Sequence, residues 1–163
     1  MGDWTGTVPS FVVAKVRAVA LSTLADIATA LTASWSPWVS TLSNITTTGG
    51  TQVANYRRLG KSVDFLWSFL LGAGSAIGTA PAFTLPVAPS TDWAFTGNTL
   101  FPTLAVAVYA GLAEWPVETR LSGSTVTMFY KSTISAVTNI TATAPFTWGS
   151  GDGLIVCGSY YTA

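Results

Sequence analysis

Residues 62–71 read Ser-Val-Asp-Phe-Leu-Trp-Ser-Phe-Leu-Leu, and no other stretch restricts the fold as tightly. The run has period two. Val63, Phe65, Trp67, Phe69 and Leu71 fall on one face, and Ser62, Asp64, Leu66, Ser68 and Leu70 on the other. Strict alternation places successive side chains on opposite sides of a pleated strand and does not make a helical stripe. The first face is large and wholly apolar, so it needs a core. The second is polar at one end and apolar at the other, the pattern of a face that is itself partly covered. Shorter runs follow at 54–59, 82–85, 104–110, 118–121, 124–130, 136–142 and 154–161, separated by Gly, Pro, Ser and Asn. Ser122-Gly123 is a two-residue hairpin signal. About eight short strands at close intervals predict a mainly β fold, most simply a jelly-roll-like β-sandwich over residues 35–163.

Residues 1–34 read differently. Val13, Val16, Ala20, Leu24, Ile27 and Leu31 recur at helical spacing, and the period changes from 3.6 to two near Ser36-Pro37. An N-terminal arm with one short helix is therefore expected ahead of the sandwich. A lone helix of this length is marginal in water, so it must pack on its own domain or on the same helix of neighbouring copies. Those six residues are the candidate assembly contacts.

The chemistry available is sparse. The 163 residues include no histidine and one cysteine, with seven basic and seven acidic side chains amounting to 9% of the chain. Soluble domains carry about a quarter. General acid–base work needs titratable groups gathered in one place, and without histidine a Ser-His-Asp triad is excluded. The reading is non-enzymatic, with no cofactor and no metal. The glycine-rich stretch 72–78 lacks the following helix that a phosphate loop uses and is expected to be a flexible strand connection. The stretch 149–153 holds a single aspartate among three glycines, too few oxygens for calcium, and reads as a turn into the last strand. Zero net charge argues against nucleic acid as a partner, and Arg57, Arg58 and Lys61 read as a solvated strand edge. Cys157, inside an apolar run, reads as a small buried hydrophobe in a chain that folds without a disulfide. No window offers the roughly 20 apolar residues of a spanning helix, so membrane insertion is not expected. The opening Met1-Gly2-Asp3-Trp4-Thr5 lacks a basic start, and no secretory signal is expected.

Seven tryptophans remain to be explained. Trp67 belongs to the core by its phase. Trp35, Trp38, Trp93, Trp115 and Trp148 sit near Pro, Gly or strand ends and are the candidate surface aromatics, suited to anchoring an interface or stacking on a sugar ring. A chain so weakly charged and so aromatic is expected to hide surface against copies of itself or a larger assembly.

Four stretches carry a resemblance. Residues 52–65, with Tyr56, Arg58, Gly60-Lys61 and Val63, are similar to the G-x-Y-x-R-x-G-K-x-V entry of β-rich virion structural proteins of phages that infect actinobacteria, with Asn55 standing where a turn glycine is usual. Thr84-Leu85-Pro86-Val87 and residues 143–152 resemble later landmarks of those proteins, and residues 16–24 resemble the short helix that precedes such domains. The resemblance covers most of residues 10–160. It implies a virion component, of minor tail or tail-fibre type or a capsid decoration protein, built as a homotrimer. Its implied partners are other copies of itself, other virion proteins and a host cell-surface glycan. The shared residues shape strand ends, and none of them implies a catalytic role. A carbohydrate-binding module is the other reading of the surface aromatics.

Overall fold

The computed structural model describes residues 34–163 apart from 94–98, 102, 111, 134 and 135. The chain divides between Ser34 and Trp35 into two units. The six helical-stripe residues from Val13 to Leu31 lie outside the described residues.

The second unit is mainly β. Its strands in chain order are β1 (Ser36–Pro37), β2 (Leu42–Thr48), β3 (Thr51–Leu59), β4 (Ser62–Leu70), β5 (Gly74–Thr84), β6 (Thr99–Phe101), β7 (Thr103–Tyr109), β8 (Ala113–Ser122), β9 (Thr125–Lys131), β10 (Val137–Asn139) and β11 (Gly153–Tyr161). All pair antiparallel, in the order β1-β3-β4-β11-β7-β8-β9-β5-β2, with β6 added to β8 and β10 to β9. β8 joins the two halves. Its residues Ala113 to Pro116 pair with β7, and Val117 to Ser122 pair with β9. The sheet curls there, so the β3-β4-β11-β7 layer faces the β2-β5-β9 layer across one core. This is a jelly-roll-like β-sandwich whose layers are continuous through one bent strand.

The core is aromatic because the inward set of β4 is aromatic. Trp67 stacks on Phe83 of β5 at 4.4 Å and 2°, and Phe65 lies parallel to Phe101 of β6 at 5.9 Å. Such paired rings bind the layers by area and by their offset quadrupoles. Val63, Phe69, Leu154, Val156, Val126 and Met128 are among the other buried residues that both layers contribute. The side of the sandwich between β3 and β5 is sealed by the chain after β1. There the Trp38 backbone N–H donates to the Ala54 carbonyl, while the Trp38 indole N–H and the Ser40 hydroxyl both donate to the Thr84 carbonyl.

Several expectations are corrected. The stretch 72–78 is no flexible connection: from Gly74 it is the first half of β5, paired with β2. Its glycines serve close approach, since a Cβ on Gly74 would stand 2.8 Å from the Thr48 methyl. The hairpin loop is Gly123-Ser124, one residue later than the dipeptide suggested, because Ser122 pairs with Thr125. Gly123 has φ +58°, so glycine occupies the first loop position, as a type II′ turn requires. Strand β2 was not legible as an apolar pattern, and the expected strand at 136–142 shrinks to Val137–Asn139. Ile140, just beyond it, is buried in the core.

Candidate functional site

Side chains of β3, β4, β11 and β7 that point away from the core form one outer face, and the antiparallel registers order it into rows across the strands. One row runs Thr51, Leu70, Gly153, Val108, Glu114; the next runs Val53, Ser68, Ile155, Val106, Pro116; a third runs Asn55, Leu66, Cys157, Leu104. These rows are largely apolar yet solvent-exposed, with Leu104 at 71% and Leu70 at 53% exposure. Four strands about 4.8 Å apart and three rows about 6.8 Å apart give the apolar part of this face an area of about 400 Å². A patch of that size lies within the roughly 300–600 Å² of the largest patch on a typical monomer, which is often functional. The outer set of β4 predicted this division: its polar end is Ser62 and Asp64, its apolar end Leu66 and Leu70. An apolar hollow of about 210 Å³ opens on the same face, lined by Leu70, Val108, Gly153 and Ile155 among others. It exists because Gly153 puts no side chain between its neighbours.

The fourth row is polar. Arg57 of β3 pairs in register with Asp64 of β4, and Asp64 with Ser159 of β11. The Arg57 Nε–H donates to Asp64 Oδ2 at 2.8 Å, and the Ser159 hydroxyl donates to Asp64 Oδ1 at 2.5 Å. Those two hydrogen bonds, the serine's first, hold the Asp64 carboxyl below its usual range against a smaller opposing effect of burial. Trp35, immediately before β1, extends the row: the Arg57 guanidinium lies over its ring, 5.4 Å from the centroid. Together with Leu104 and Cys157 these groups line an open groove of about 610 Å³. Arg57 was expected to be a solvated strand edge; its side chain is 42% exposed and also pairs with Asp64, the centre of this row. Cys157 was expected to be buried. The core takes Val156, so Cys157 falls on the outer face, half-exposed in the groove.

The candidate surface aromatics divide by place. Trp35 is exposed at 48%. Trp38 is half-buried, edge-on to Tyr56 and Phe65. Trp115 and Trp148 are also half-buried and meet through Phe146, at 4.7 and 4.4 Å, with Tyr109 on the same ring at 5.0 Å. The Trp148 indole N–H donates to the Thr141 carbonyl at 2.9 Å. This second aromatic cluster fastens the loop that contains the 149–153 turn. Asp152, only 2% exposed, holds that turn by accepting the Gly149 N–H on its carboxylate. Trp93 ends the short 3-10 turn Thr91–Trp93. No family model, curated protein or solved structure matches the chain, so what this outer face does is read from its own geometry.

Proposed function

We propose that this chain is a non-enzymatic structural subunit that assembles with copies of itself through the apolar rows of its outer face. The larger body is a bacteriophage virion, as the resemblance over residues 10–160 implies. The observation that carries the reading is the exposed apolar face itself. A face of about 400 Å² supplies about half of the roughly 800 Å² that each partner contributes to a stable interface. Fully burying a leucine contributes at most about 1.5–3 kcal/mol, so several such residues together offset much of the cost of ordering the contact. The sandwich supports the same reading: its own core is already closed by Trp67, Phe65 and Phe83, so the outer face is not needed for folding.

Within the virion, the subunit is of minor tail or tail-fibre type, with the capsid decoration protein as the second place. Mass spectrometry of purified particles separates them: a few copies per particle supports the tail, a copy number near that of the shell protein supports decoration, and absence from particles refutes the virion. The self-assembly is tested by sedimentation of the purified chain. Association is expected, with the homotrimer as the stoichiometry that the resemblance implies. Leu70→Asp should reduce it by about tenfold or more while leaving the fold intact, because a charge there faces solvent in the monomer and a partner in the assembly. A chain that stays monomeric at high concentration overturns the reading.

A further inference from the structure

We infer that the groove lined by Trp35, Arg57, Asp64 and Ser159 is a binding site for a neutral oligosaccharide segment. The inference rests on how the polar row is built, with Leu104 and Cys157 of the neighbouring apolar row completing the groove. Its four groups come from separate segments of the chain, but the registers of β3, β4 and β11 place them in one line across the sheet. From the β1 edge beside Trp35 to β7, which carries Leu104, the groove crosses about 19 Å, at about 4.8 Å per strand. That is the length of a few sugar rings laid across the strands.

The chemistry of the line fits a polyol. Sugar rings present apolar C–H faces and a belt of hydroxyls that both donate and accept. Trp35 offers an exposed aromatic plane for a C–H face, at the end of the groove. Each Asp64 carboxylate oxygen already accepts one hydrogen bond, from Arg57 or from Ser159, and each has a second lone pair for a sugar hydroxyl. Arg57 spends its Nε–H on Asp64, and its terminal N–H groups are donors of fixed geometry. The paired guanidinium and carboxylate thus give adjacent donors and acceptors with no net charge, which matches a neutral sugar and disfavours an anionic one. The pair is a positioning device more than a source of stability, since exposed ion pairs contribute little to folding. The Ser159 hydroxyl and the Arg57 side chain fix the carboxylate before any ligand arrives, which lowers the ordering cost of binding. Leu104 closes the opposite end with an apolar wall.

The test is titration of the full-length chain with a panel of neutral tetrasaccharides (cellotetraose, chitotetraose, maltotetraose and mannotetraose) read by tryptophan fluorescence and by saturation-transfer NMR. Saturable binding to at least one of them is expected. Trp35→Ala should weaken it by about tenfold or more, and Asp64→Asn by a similar factor, with the conservative Trp35→Tyr retaining most of it. Thermal melts and sedimentation of the same samples report whether fold and assembly are intact. Assembly without binding to any member of the panel at millimolar concentration overturns the groove and leaves the assembly reading standing. Binding that Trp35→Ala and Asp64→Asn leave unchanged also overturns it.

Discussion

Tyr160 is the residue whose energetics the structure defines most closely. It sits on β11, 1% exposed, with its ring between Phe65 and Phe101 at 6.0 and 6.1 Å. Its hydroxyl donates to the Val87 carbonyl at 2.8 Å and accepts from the Val87 N–H at 3.3 Å, tying the 85–90 segment to the core. Tyr160→Phe keeps the ring and leaves both Val87 groups without that partner, a loss of about 2 kcal/mol. In a chain of this size that lowers the melting temperature by about 4–8 °C. The pH dependence is more discriminating. Burial, the largest influence, pushes the phenol from 10.0 up to about 12. The unfolded chain therefore loses this proton first as the pH rises. The stability tied to the neutral phenol is complete below pH 10 and drains away as the pH climbs toward 12, by at most about 2.7 kcal/mol over the two units. The phenylalanine variant has nothing to titrate at this position. Urea unfolding followed by tryptophan fluorescence should thus show the wild type more stable at neutral pH, with the gap to Tyr160→Phe closing as the pH approaches 12. A gap that stays constant from neutral to alkaline pH, or no gap at neutral pH, refutes the reasoning.

Gly72→Ala tests the crossing where β2–β3 and β4–β5 pass each other. Its new Cβ would collide with the Gly49 carbonyl, which is backbone and cannot swing aside, so a loss of about 3 kcal/mol is expected. Gly60→Ala is the control: its Cβ meets nothing, and only its φ of +59° is strained, at about 1–2 kcal/mol. Equal denaturation midpoints for the two variants would remove the argument from close approach. At acid pH the relevant group is Asp64. Its folded pKa lies below 3.8, so its contribution is fully present above that value and is lost as the pH falls through the lower folded value. Asp64→Asn should flatten this part of the acid unfolding curve, and an unchanged curve would show that Ser159 and Arg57 do not hold the carboxylate.

What could be read in the chain follows from where the forces are local. The alternation of β4 states its own phase, because a core face of Val63, Phe65, Trp67 and Phe69 admits one orientation only. The runs that became β3, β7, β9 and β11 have enough apolar or β-branched residues to do the same. Strand β2 does not: Leu42-Ser-Asn-Ile-Thr-Thr-Thr48 exposes most of its side chains, and its extended form comes from pairing with β5. The glycines of β5 misled for a related reason, since a sequence shows their freedom and not the neighbours that require their smallness. At the candidate site, the polar and apolar ends of the outer β4 face were legible from five residues. The row that joins Trp35, Arg57, Asp64 and Ser159 was not, because β3–β4 and β4–β11 registers create it and nothing local to any one residue announces it. Cys157 shows the cost of reading an apolar run without its phase: Val156 takes the core, and the neighbour on either side must point out.

The outer face keeps its two chemistries apart because antiparallel pairing carries position along one strand to its neighbours. Along β4 the outward residues pass from Asp64 through Leu66 and Ser68 to Leu70; on β3 and β11 the same rows appear in reverse chain order. A polar end on one strand therefore becomes a polar end on all three. The Arg57–Asp64–Ser159 row lies about 20 Å from the Leu70–Gly153–Val108 row, at about 6.8 Å per row. In the proposed assembly, a second copy seated over Leu70, Ile155 and the hollow at Gly153 would bury the apolar rows without needing the charged one. The charged row gains from staying at the rim. Burying Arg57 and Asp64 in an interface would desolvate both, and an ion pair so placed rarely recovers that cost. In the groove it keeps water on one side, where a sugar hydroxyl can replace that water at little cost in hydrogen bonds. The division of the face is thus the arrangement in which an apolar contact and a polar groove can occupy the same four strands without one weakening the other.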